Sequence, residues 1–196
     1  MIRIPTAILD GKKITRVIFS LRPSIPFDYQ GMSLLIRKCY EIGISCFDLP
    51  SLKHLESFRE LKRLTNDENL IGICHLDFEK GSSYMGKPLH QFESKVLSTI
   101  IKNIVPPDLV RTLFPNHSSK EVFTQKEIDR IAFDPSRFEK ALSIFNHQES
   151  PFLLVGERYG DWLLGLGRID LLKEMVLKIR ERGFIPIFLG QWTTFI

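Results

Sequence analysis

Tyr40-Glu41-Ile42-Gly43-Ile44-Ser45-Cys46-Phe47-Asp48 is the stretch whose reading decides the fold. Residues 32–42 place Leu35, Ile36, Cys39 and Tyr40 on one helical face. Gly43 follows where a helix end favours a left-handed residue. Residues 44–47 are then a short, mostly apolar run ending on the carboxylate of Asp48. Such a run suits a strand covered on both faces, as in parallel sheets. Downstream, a helix around residues 55–64 leads into a second buried-type run at 70–77, Leu-Ile-Gly-Ile-Cys-His-Leu-Asp. The spacing predicts a β-α-β-α-β series.

The same device recurs near the other end. Residues 152–155, Phe-Leu-Leu-Val, form a strand running into Gly156-Glu157, and residues 171–182 carry Leu171, Leu172, Met175, Val176 and Ile179 on one helical side. Arg180-Glu181-Arg182-Gly183-Phe184 does the structural job of residues 40–44, and residues 184–189 give another strand. At the start, residues 2–9 and 12–20 flank Asp10-Gly11, a favoured hairpin turn dipeptide. The middle reads as helical. Phe92, Val96, Leu97, Ile100, Ile101 and Ile104 make a stripe, Thr124 to Glu127 a capping box, and Asp134-Pro135 an N-cap with proline at the first helical position. Residues 81–87, with two glycines and two serines, read as a loop.

These elements predict an α/β fold of TIM-barrel-like (β/α) repeats with an N-terminal hairpin and about five parallel strands. A complete eight-stranded barrel typically needs about 250 residues. The expectation is therefore one barrel-like domain over residues 1–196, truncated at its C-terminal end, with a helical insertion at 81–150. A barrel left incomplete exposes a sheet edge, which could pair with a second copy or a partner.

Composition narrows the classes. The chain is 43% hydrophobic and 26% charged, ordinary for a globular protein, and its fifteen Phe point to an aromatic core. The net charge of +4 is mild and the 27 Lys and Arg are scattered, which argues against nucleic acid. No apolar run reaches the roughly 18 residues that span a bilayer, and no signal peptide is visible at the start, so a soluble cytoplasmic location is expected. Cys39, Cys46 and Cys74 lie in apolar segments without a CxxC pair and are expected as buried free thiols.

Ligands of parallel α/β folds sit at the carboxyl ends of the strands. Those positions hold Ser20 and Arg22, then Asp48, then His75 and Asp77, then Glu157 and Arg158, and last Gln191 and Trp192. Asp48 and His75 are the candidate catalytic pair. His75, Asp77 and Glu157 are candidate ligands of a divalent metal, since imidazole and carboxylates from neighbouring strand ends suit one. His54 can reach the same rim, and equally suits a helix start. Gly165, Gly167 and Arg168 could hold an anion before the helix near Asp170, although close packing and turn formation account for the glycines as well. No nucleophile elbow is present.

With these residues in view, the N-terminal part resembles the aldo-keto reductase family of NADPH-dependent barrels, over about the first 80 residues. The likeness rests on Leu9-Asp10-Gly11, on the strand ending Phe19-Ser20, and on residues 40–48. The resemblance implies that Asp48 takes the place of the tetrad aspartate. It implies a catalytic tyrosine where Lys53 stands and a lysine at the end of the third strand, where this chain has Cys74-His75. The expected functions are thus an oxidoreductase-like protein acting on a small molecule with NADPH, in which His75 or another group replaces the tyrosine as general acid; a metal-dependent isomerase, lyase or hydrolase using His75, Asp77 and Glu157; or a non-catalytic protein that self-associates or binds a partner.

Overall fold

The computed structural model describes residues 4–21, 28–76, 81–106, 108–109 and 121–190. Ten strands and seven α-helices follow along these residues. They run β1 Thr6–Leu9, β2 Lys12–Thr15, β3 Ile18–Ser20, α1 Tyr29–Glu41, β4 Cys46–Leu49, α2 Leu52–Thr65 and β5 Ile71–His75. Then come β6 Ser82–Tyr84, β7 Lys87–Pro88, α3 Glu93–Ile104, α4 Gln125–Ile128, β8 Ile131–Phe133 and α5 Pro135–Leu142. Last are β9 Phe152–Gly156, α6 Glu157–Gly165, α7 Ile169–Glu181 and β10 Ile185–Gly190. The chain divides into two compact units: Met1–His75 with Phe145–Leu154 and Arg180–Ile187, and Leu76–Ile144 with Val155–Ile179 and Phe188–Ile196.

In the first unit, Asp10 and Gly11 both take positive φ, 47° and 75°, which is what a two-residue hairpin turn with the twist of its strands requires. The run read as one segment over 12–20 is in fact two strands. β2 pairs antiparallel with β1, and β3 joins a different sheet. That sheet has five strands in the order β10-β9-β5-β4-β3, with β3, β4, β5 and β9 paired in parallel. The expected parallel α/β arrangement is present, and no sheet closes on itself among the described residues.

The register sorts the side chains by face. Phe19 stands opposite Phe47, and Phe47 opposite Gly72. The Phe47 ring also lies 6.0 Å from Phe58 of α2, so this face is the one covered by helix. Full burial of a side chain such as Phe47 contributes about 1.5–3 kcal/mol. Gly72 is required here, because a Cβ would sit 2.6 Å from Ser150 Oγ and 2.7 Å from Leu49 Cδ1. On the opposite face Cys46, Ile71, Ile73, Phe152 and Leu154 form one cluster with Ile14 of the hairpin, joined by Ile185 and Ile187.

The second unit has a small antiparallel sheet, β7-β6-β8. Residues 81–87, expected as a loop, contain β6 and the turn into β7. Met85 and Gly86 at φ 50° and 74° repeat the backbone of the first hairpin turn. Methionine is not a turn former, which hid the signal. The stretch 81–150 therefore holds strands as well as the expected helices. The capping box at Thr124 and the Asp134 N-cap both form as the sequence predicts. Tyr84, Phe92 and Phe123 pack edge to face, with centroids 4.9–6.3 Å apart. No described helix is long and apolar enough to cross a membrane.

Candidate functional site

Three adjacent strand ends of the first unit converge. Ser20 closes β3 and stands directly opposite Asp48 of β4. Asp48 is opposite Ile73 of β5, and His75, two residues further on, points to the same face as Ile73. Alternation along each strand thus puts Ser20, Asp48 and His75 on one side, at the carboxyl end of the face whose lower rows are Cys46, Ile71, Ile73 and Phe152.

The side chains meet. Ser20 Oγ donates to Asp48 Oδ2 at 2.6 Å, and Asp48 Oδ1 is bonded to His75 Nε2. Asp48 is only 9% exposed. A buried carboxylate needs such partners, because burial without them would drive it to the neutral acid. Accepting from Nε2 also fixes the ring: in the neutral tautomer the proton sits on Nε2, and Nδ1 is the basic nitrogen. In an acyl-transfer triad the histidine bridges the serine and the carboxylate; here the carboxylate bridges the serine and the histidine.

His54 lies in the first turn of α2 and belongs to the same neighbourhood. Its Nδ1 is 2.6 Å from Ser51 Oγ. Burial pushes its pKa below the ordinary 6.5, opposed by the negative charge of Asp48 and by a hydrogen bond to the Leu21 backbone, while His75 adds to the lowering. Leu21 N in turn donates to the Asp48 carbonyl at 3.2 Å, continuing the β3–β4 ladder past Ser20. The sequence left His54 open between a rim and a helix-start role; the structure places it at the helix start, bonded to Ser51. Lys53 is exposed.

The remaining candidates fall elsewhere. Arg22, Asp77, Gln191 and Trp192 lie outside the described residues, and Glu157 and Arg158 are described in backbone only, at the start of α6. The ligand set His75, Asp77 and Glu157 therefore contributes only His75 to the described site. Among the described residues, no group of three or more His, Cys, Asp or Glu could hold a metal ion. Gly165, Gly167 and Arg168 do structural work. A Cβ on Gly165 would meet Ile100 at 2.8 Å, and Gly167 turns the chain at φ 74°. Arg168 clamps Asp170 through two bonds, at 2.9 and 2.6 Å, and donates to the carbonyls of Ile128 and Ile131.

The cysteines match the expectation of buried free thiols. Burial, with a smaller push from Asp48, raises Cys46 to about 12, and burial raises Cys74 to about 11, so neither is a nucleophile near neutrality. Comparison of the chain with protein-family models, curated proteins and solved structures gave no match.

Proposed function

We propose that this chain is an oxidoreductase-like protein of (β/α)-barrel type that acts on a small molecule, with His75 as its proton donor and acceptor and Asp48 as the group that orients it. The observation carrying this reading is the bridging carboxylate: Asp48 holds Ser20 with one oxygen and His75 with the other, at three adjacent strand ends. Asp48 sets the tautomer of the ring and stabilises the imidazolium when Nδ1 takes a proton. Ser20 keeps the carboxylate in that orientation.

The barrel and aldo-keto reductase-like part of the reading is supported by the hairpin, whose Ile14 packs on the same face that ends in the polar cluster. It is supported too by the carboxylate of Asp48 at the place the resemblance assigns it. The described residues fit the proton-transfer half of that chemistry and not its cofactor half. Arg168 is committed to Asp170 and two carbonyls, and the sequence has no glycine-rich phosphate loop at a described strand end. The mechanism is therefore derived for the proton alone. The metal-dependent alternative gains nothing from the described residues.

The test is a titration with NADPH and NADH followed by nicotinamide fluorescence, together with assay of carbonyl reduction in the wild type and in His75→Gln. NADPH binding retained in the variant, with turnover lost, supports the reading. Failure of the wild type to bind either nicotinamide sinks it.

A further inference from the structure

We propose that the tip of the first hairpin, Ile8 to Lys13, is a docking surface for an anionic lipid bilayer. Its two apolar side chains enter between the headgroups and its cations meet the lipid charges. The contact is peripheral, needs no membrane-crossing helix, and is independent of the strand-end cluster.

The two ends of the hairpin differ in character. At its base Ile14 packs into the core cluster of the first unit, Thr15 is 3% exposed, and the Arg16 amide donates to the Pro5 carbonyl at 2.8 Å. From Ile8 to Lys13 every residue is exposed. Ile8 is 77% exposed, more than any other large hydrophobic side chain among the described residues, and Leu9 beside it is 42% exposed. A Cβ built on Gly11 would meet nothing within 4 Å, so the turn stands clear of the chain around it. A lone exposed apolar side chain is ordinary. Two neighbours carried clear by a turn, on a hairpin anchored at its base, make a presented patch.

Charge selects the occupant. Cross-strand pairing sets Ile8 opposite Lys13 and Leu9 opposite Lys12, so each apolar side chain has an ammonium at its flank. Arg16 adds a third exposed cation at the base, and Asp10 in the turn is the one carboxylate between residues 4 and 16. Among the described residues Lys12, Lys13 and Arg16 form no ion pair. Apolar side chains interleaved with unpaired cations complement a surface that is negative on top and apolar beneath, which is an anionic bilayer. The long lysine stems let the ammonium groups stay at headgroup level while Ile8 and Leu9 go deeper. A protein partner is a poorer match. Two four-residue strands, each about 14 Å long, offer too small a footprint for the roughly 800 Å² per side of a stable protein interface.

The test is cosedimentation of the whole chain with vesicles of phosphatidylcholine alone or mixed with phosphatidylserine. The chain is expected to pellet with the mixed vesicles, to stay in solution with phosphatidylcholine, and to be released by added salt. Lys12→Gln with Lys13→Gln should weaken the partition about thirtyfold, and Ile8→Ser with Leu9→Ser about tenfold. All four positions are exposed, melting curves show that the variants fold, and the wild-type comparison of the two vesicles needs neither. No binding to the mixed vesicles at low salt overturns the proposal. So does binding that survives Ile8→Ser with Leu9→Ser, which is charge attraction alone, and so does equal binding to soluble polyglutamate, which points to an acidic protein. A dimer in solution that the same pair of substitutions dissolves gives the tip to a second copy and overturns the proposal as well.

Discussion

Asp48 and Glu127 are carboxylates in different units, and both have each oxygen engaged. Glu127 Oε2 accepts from the Thr124 amide at 2.8 Å and its hydroxyl at 3.0 Å, and Oε1 accepts from Lys95 Nζ at 2.8 Å and Tyr84 Oη at 3.0 Å. Lys95 first, then the Thr124 amide, hold its pKa down to about 2. The result is a fixed anion that caps a helix. Asp48 instead divides itself between a hydroxyl and an imidazole, the one side chain that ordinarily changes charge near neutral pH. A carboxylate served by permanent donors belongs to the fold. One shared with an imidazole at a parallel strand end is where proton chemistry is to be sought.

The largest expected effect separates the two directly. Asp48→Asn should lower turnover of an NADPH-dependent carbonyl reduction by about 10²–10⁴, the usual worth of positioned acid–base catalysis. Glu127→Gln should leave the same rate within about twofold, since the residue is engaged in a capping box. Equal losses in both would erase the distinction.

Two glycines sharpen it at the level of packing. Gly72→Ala places a Cβ at 2.6 Å from Ser150 Oγ and 2.7 Å from Leu49 Cδ1, in the sheet beneath the site. Overpacking of that kind costs about 1–3 kcal/mol, read as a lower urea midpoint. For Gly165→Ala the three nearest atoms, at 2.8–3.0 Å, all belong to the one side chain of Ile100 rather than to two residues, so its midpoint should fall less. A reversed order would place the more tightly packed contact in the second unit.

Acid should act on the Glu127 side of the comparison. A folded pKa of about 2, below the ordinary 4.5, means that the anion's contribution is complete above 4.5 and is lost as pH falls from 4.5 towards 2. Urea midpoints across that window should drop in the wild type and change less in Glu127→Gln. The smallest effect is an absence of reaction. With all three cysteines buried, a thiol reagent at neutral pH should label the native chain slowly and reach full labelling only after unfolding.

Much of this was readable from residue order. Gly43 and Gly183 mark helix ends at φ 99° and 80°, and Asp10-Gly11 marks the first hairpin, because positive φ selects glycine and short polar residues. Asp48 and His75 were legible as strand-end polar residues after apolar runs. The bond between them was not, since it depends on the register that sets Asp48 opposite Ile73. The β6–β7 hairpin escaped because strands of two or three residues have no period to detect, and Met85 occupies the turn. The break at Arg16 and Val17 escaped because one apolar stretch serves two sheets. The role of Ser51 in holding His54 could be suspected only from their spacing of three within one helical turn.

The alternation Cys46-Phe47-Asp48-Leu49 has a consequence for how the chain reaches this state. Slipping β4 by one residue would turn Asp48 under the helix-covered face and bring Phe47 out among the polar groups. A misaligned sheet would leave the carboxylate without both its partners, a costly arrangement for a buried charge. The same register that seats Phe47 against Phe58 is therefore the one that lets Ser20, Asp48 and His75 meet.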